Sequence, residues 1–97
     1  MLKGKDKAYL QSLAQKMDPA VFVGKTGVVQ SVVASLDQAL TARELVKVKV
    51  QRGCPQSLDE VASALVAATD SFLVGQLGKT ILFYRPAQEP KIRLPRQ

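Results

Sequence analysis

The sequence predicts an α/β-class fold: an α+β two-layer sandwich with the order α-β-α-β-α-β-β and a four-stranded mixed sheet. Three observations carry this. Helical stripes alternate with short β-type runs through most of the 97 residues. A tight glycine loop, Gly24-Lys25-Thr26-Gly27, joins a strand-type run to a helical pattern. Two β-type runs then follow one another at the end with only a short turn between them. A strand-helix-strand unit is almost always a right-handed crossover, so the first two strands should be parallel neighbours and the final hairpin should add two antiparallel ones. The layers would be helices on one face of the sheet and solvent on the other.

Residues 4–17 read as a helix, with Ala8, Leu10, Leu13, Ala14 and Met17 approximating a stripe and Lys3, Lys5, Lys7 and Lys16 outside it. Pro19 restricts Asp18 and removes a donor, which stops the helix. "AVFV" at 20–23 is a short strand. A second helix is expected over 28–42, with Val29, Val32, Val33, Leu36 and Leu40 on one face. "LVKVKV" at 45–50 alternates, sending Val46, Val48 and Val50 inward and Lys47 and Lys49 toward water, away from the helix layer. After the loop "RGCPQ", Ser57 and Glu60 form a capping box that opens a third helix over 58–69. "SFLVGQ" and "KTILFYR" form the hairpin, joined near Gln76-Leu77-Gly78. Residues 1–86 thus make one domain, and 87–97, with Lys91, Arg93 and Arg96, an extended, solvated basic tail.

Composition excludes several chemistries. There is no histidine, so imidazole acid–base catalysis, serine triads and histidine metal sites are out. Cys54 is the only cysteine and has neither a disulfide partner nor a base beside it, so its role is structural. The carboxylates, among them Asp37, Glu44, Asp59, Glu60 and Asp70, read as helix surface, helix ends or caps, and no acid, base and nucleophile set emerges. The expectation is a non-enzyme with no cofactor and no metal. The charged start "MLKGKDKAYL" lacks an apolar signal core, no run approaches a membrane span, and the absence of disulfides fits a reducing cytoplasm.

Fourteen Lys and Arg against eight Asp and Glu give a net charge of +6. Clustered cations gain affinity for polyanions by releasing counterions from phosphates, so a nucleic-acid partner is the sharper reading of this charge. A protein-interaction or scaffold module whose charge serves only solubility is the alternative. Gly-Lys-Thr occurs twice, at 24–26 and 78–80, but a nucleotide-binding P-loop needs a glycine five residues earlier. Pro19 and Leu73 stand there instead.

The Gly24–Gly27 loop has another use. Its glycines permit close backbone approach, the first amides of the following helix lack intrahelical partners, and that helix end is positive. Lys25 adds a charge at the tip, and Thr26 a hydroxyl able to cap the helix or bond a phosphate oxygen. Gly24, Lys25, Thr26, Gly27 and Val28 are therefore the primary candidates for holding a backbone phosphate, extended by Lys47 and Lys49. Lys3, Lys5, Lys7, Arg43, Lys79 and Arg85 are secondary candidates. Phe22, Phe72, Phe83 and Tyr84 alternate with core positions and are assigned mostly to packing, leaving Tyr9 and Tyr84 as candidates for base stacking. Gly75-Gln76-Leu77-Gly78 opens no helix and reads as a turn.

"VFVGKTGVVQSVVASLDQALTARELVKVKV", with "GKTILFYRP" at 78–86 and the C-terminal "KIRLPRQ", resembles the CRM domain, the chloroplast RNA splicing and ribosome maturation module, and its stand-alone bacterial YhbY-like members. The resemblance implies a fold similar to the C-terminal domain of initiation factor 3. It implies RNA binding through the Gly24–Gly27 loop and adjacent basic surface. It also implies association with large-subunit ribosomal RNA or its precursor particle, as a cytoplasmic monomer without membrane contact. The link "QRGCPQSLDE" departs from the family in carrying less charge, and no contact is assigned to it. KH domains also clamp nucleic acid with a Gly-x-x-Gly loop, but theirs joins two helices, so that likeness is one of physics and not of fold.

Overall fold

The structure, a computed structural model, describes residues 2–87 and 92. The elements are α1 (Gly4–Ala14), β1 (Val21–Val23), α2 (Gln30–Arg43), β2 (Leu45–Val50), α3 (Leu58–Thr69), β3 (Phe72–Leu77) and β4 (Thr80–Tyr84). They follow the order the sequence predicts. The four strands form one mixed sheet in the spatial order β1-β2-β4-β3. β1 runs parallel to β2, and β4 is antiparallel to both β2 and β3.

Strand alternation divides the apolar residues between the two faces. Val46, Val48 and Val50 of β2, with Ile81 and Phe83 of β4, meet Leu36 and Leu40 of α2 and Val61, Ala62 and Leu65 of α3 in the main core. This is the expected two-layer unit. The other face is not left bare, however: α1 packs there, its Leu10 and Ala14 meeting Leu45, Val74, Leu82 and Tyr84 in a second cluster. The reason lies in β4, where Ile81, Leu82, Phe83 and Tyr84 are all buried, so the strand needs cover on both sides.

Local chemistry sets the ends. Ser57 Oγ accepts from the Glu60 amide at 3.1 Å, and Glu60 Oε1 accepts from the Ser57 amide at 2.8 Å, so the capping box starts α3 as expected. That pair of contacts from Ser57 holds the Glu60 carboxyl below its ordinary value of 4.5. α1 ends at Ala14, a turn earlier than its stripe suggests, and Leu13 and Ala8 face solvent. α2 starts at Gln30, because Gly27 takes a φ of 72° and Val29 is an extended N-cap at φ −116°. The hairpin turn is Gly78-Lys79, with Leu77 paired to Thr80 and Gly78 at φ 61°. Gly75 lies in β3 at a register shift beside Leu73, not in the turn. A side chain there would run into Gln11, whose Nε2 donates to the Val74 carbonyl at 3.1 Å.

Two polar groups serve the fold in ways the sequence did not announce. Glu44, the C-cap of α2 at φ 68°, is buried at 1% exposure, and its carboxylate accepts from the amides of Ala87 and Ile92 at 3.2 and 3.0 Å. The rest of the expected tail lies outside the described residues. At Ala87 and Ile92 the chain is docked, not solvated, and Ile92 packs on the α1 cluster. Tyr84 is pushed above its ordinary value of 10.0, first by burial and then by the charges of Glu44 and Asp6.

Candidate nucleic-acid interface

Because β1 and β2 are parallel and paired Val21 to Val48, Phe22 to Lys49 and Val23 to Val50, they end side by side. The loops that follow them, residues 24–29 and 51–57, must therefore be neighbours. Gln51 N donates to the Val23 carbonyl at 2.8 Å, and the Lys25 stem passes over Gly53. The β3–β4 turn joins the same end, where the Val50 amide donates to the Lys79 carbonyl at 2.8 Å. A shallow depression of about 190 Å³ there is lined by Arg52, Gly53, Gln56 and Lys79 among others.

The glycine loop is a tight turn in which Gly27 N donates to the Gly24 carbonyl at 2.9 Å, raising Lys25 and Thr26 into solvent at its crest. Thr26 does not cap α2, since the N-cap is Val29 and no side chain caps that end. The amides of Gln30 and Ser31 have no protein partner among the described residues, and the first turn of α2 holds no acidic residue. That end of the helix stays electropositive. The loop's concave side is not open, however. Gln56 Oε1 accepts from the Val28 amide at 2.7 Å and lies against Gly27. A side-chain carbonyl thus occupies one of the donors expected to face a phosphate.

The predicted cations separate into two groups. Lys25, Lys49 and Lys79 come together at the loop end of the sheet, because Lys49 pairs with Phe22 of β1 and Thr80 of β4. Arg52 joins them from the loop to which the sequence reading assigned no contact. The signal was available: parallel β1 and β2 force the two following loops together. Lys47 shares the face of Lys49, but the segment that follows α1 reaches it; Lys47 is half-buried and its Nζ donates to the Met17 carbonyl at 2.8 Å. Lys3, Lys5 and Lys7 are exposed on the first turns of α1, beyond Leu10, which packs with Leu45 and Tyr84 at the far end of the sheet. Arg43, exposed, closes α2 at that same far end, just before β2 begins.

Arg85 is also at the far end and is committed internally. Its Nη1 bonds Asp37 Oδ1 and the Thr69 carbonyl, both at 2.7 Å. Its Nη2 bonds the Asp37 carbonyl at 3.0 Å and Thr41 Oγ1 at 2.9 Å. The guanidinium ties α2 to the end of α3 and is removed from the set of candidate contacts. Phe83 and Tyr84 are buried, as packing demands, which removes Tyr84 as a stacking candidate, while Tyr9 is 39% exposed. No group of three or more metal-ligating side chains occurs among the described residues, and none of their helices is long and apolar enough to cross a membrane.

A family model, the CRS1 / YhbY (CRM) domain, matches residues 2–85. The chain belongs to the CRM domain family. Its relatives include a Bacillus subtilis protein named "Probable RNA-binding protein YqeI", 43% identical over 96 residues, the match spanning 98% of this chain and 100% of the relative. A Haemophilus influenzae protein named "RNA-binding protein" is 35% identical over 96 residues, spanning 99% of this chain and 97% of the other. The solution structure of SAV1595 from Staphylococcus aureus superposes with a TM-score of 0.82 at 40% identity, covering 98% of this chain and all of that one. The α+β fold with a four-stranded mixed sheet is thus a CRM-type fold.

Proposed function

We propose that this CRM protein binds ribosomal RNA in precursors of the large ribosomal subunit and assists their assembly. It acts as a cytoplasmic monomer and a binding protein, not a catalyst. One observation carries the reading: three neighbouring loops place Lys25, Arg52 and Lys79 at the end of the sheet where the uncapped α2 starts, and Lys49 stands close to that end on β2, on the opposite sheet face. Lys25 and Thr26 at the crest of the turn, with the amides of Gln30 and Ser31, hold a backbone phosphate. Gln56 keeps the Val28 amide satisfied until an RNA oxygen replaces it. The names of the bacterial relatives support RNA as the partner.

Lys25→Glu is expected to weaken RNA binding about tenfold or more, roughly 1.4 kcal/mol, with little change in Tm, since Lys25 is exposed. Equal affinities for wild type and variant would reject the loop assignment. A binding constant insensitive to salt would reject the electrostatic basis altogether. Sedimentation of lysate tests the particle: comigration with ribosomal precursors that ribonuclease abolishes supports this function, and a ribonuclease-resistant complex supports a protein-scaffold role instead.

A further inference from the structure

The α1 cluster on the sheet's second face includes no residue of the edge strand β1, where an aromatic ring stands exposed. α1 spans Leu45, Val74, Leu82 and Tyr84 and stops at Ala14, short of β1. In β1, Val21 and Val23 are buried in the main core, while Phe22 turns to the other side at 50% exposure. The sequence pattern assigns Phe22 to packing, yet no buried cluster includes it. Its register partner is the exposed Lys49, and Lys47 lies on the same face. A single exposed apolar residue is ordinary on a protein surface. This one is a rigid aromatic on a strand pinned by two buried neighbours, with an exposed lysine across from it. Lys25 follows three residues later, its Cα no more than roughly 11 Å away.

We infer that Phe22 is a stacking position for an unpaired RNA base, with the adjoining phosphates lying along Lys49 and Lys25. The inference rests on the RNA-binding reading and adds to it the class of RNA: a single-stranded or looped-out nucleotide beside the phosphate held at the loop. Flat π-faces stacked on a sheet surface and flanked by cations are the physical recipe for gripping unpaired bases without sequence preference.

The test titrates wild type, Phe22→Ala, Phe22→Tyr and Lys25→Glu against an oligouridine strand and a blunt duplex RNA. Phe22→Ala is expected to lose about tenfold to a hundredfold on oligouridine and nothing on the duplex, the loss typical of one stacked base. Phe22→Tyr keeps the affinity, and Lys25→Glu weakens both. The protein has no tryptophan, so Phe22→Trp provides a unique emission signal that oligouridine should quench. Unchanged oligouridine binding by Phe22→Ala, with Lys25→Glu still impaired, overturns the stacking inference and leaves the function standing. So does an equal loss on both RNAs, or a wild type that binds duplex alone. A wild type that binds neither RNA overturns the function and the inference together.

Discussion

Arg85→Ala separates a structural arginine from an RNA contact, and its size can be worked from the contacts. The ion pair with Asp37 is partly solvated, since the Asp37 side chain is 55% exposed. Such a pair is worth about 0–1 kcal/mol. The bonds to Thr41 Oγ1 and the Asp37 carbonyl lie on the exposed side of α2, where water replaces them at small cost. The bond to the Thr69 carbonyl is different, because it serves the last turn of α3 at a residue only 3% exposed. Leaving that acceptor without its charged donor costs about 1–3 kcal/mol. Together the loss is roughly 1–4 kcal/mol, a fall in Tm on the order of 4–30 °C for a domain this size. Arg85→Lys, with one donor head in place of a fork, should fall between. Circular dichroism melts give the stability, and RNA titration well below the transition gives the affinity of the folded molecule, which should match wild type. A variant that melts within about 2 °C of wild type but has lost RNA affinity would refute the internal role.

Gln56→Ala uncovers the Val28 amide, so RNA affinity should rise about two- to tenfold, the equivalent of one net hydrogen bond, when measured by titration; weaker binding would mean that Gln56 itself touches RNA. Gly27→Ala forces a side chain into φ 72° and against Gln56 and Pro55, with an expected cost of about 1–2 kcal/mol in denaturant melts. On the acid side, the contribution of Glu60 is present above its ordinary value of 4.5 and is lost as pH falls through the lowered folded value, a dependence that Ser57→Ala should flatten in Tm against pH. On the alkaline side, neutral Tyr84 contributes fully below pH 10.0, and its contribution is lost as pH rises through the raised folded value, which ultraviolet titration of Tyr84→Phe against wild type would show.

Local pattern carried most of the fold and part of the site. The capping box, the alternation in β2 and the β-α-β crossover each depend on neighbouring residues, and each reads directly from the chain. The side taken by α1 was harder, because its stripe is thin and Leu13 and Ala8 face water. The clue was in β4, where Leu82 and Tyr84 are as apolar as Ile81 and Phe83. α2 starts later than the stripe predicts because Val29 fits the apolar spacing of Val32, Val33 and Leu36 yet is an extended N-cap, two residues after the left-handed Gly27. At the site, Lys25 was legible from the loop itself. Arg52 and Gln56 have no such local signal; they emerge only when the expected parallel pairing of β1 with β2 is carried forward into the two loops that follow. Glu44 shows the same limit: its partners at Ala87 and Ile92 lie more than forty positions away.

The sheet order leaves β1 and β3 as its margins. Margins with free ladder groups invite other chains to add on and propagate into aggregates. Here β1 offers only three residues, and β3 is broken by the irregularity between Leu73 and Gly75. Neither gives an incoming strand a long, straight template. A small basic protein that must stay dispersed at the concentrations a crowded cell imposes gains that protection from backbone geometry, without spending any of the cations gathered at the opposite task.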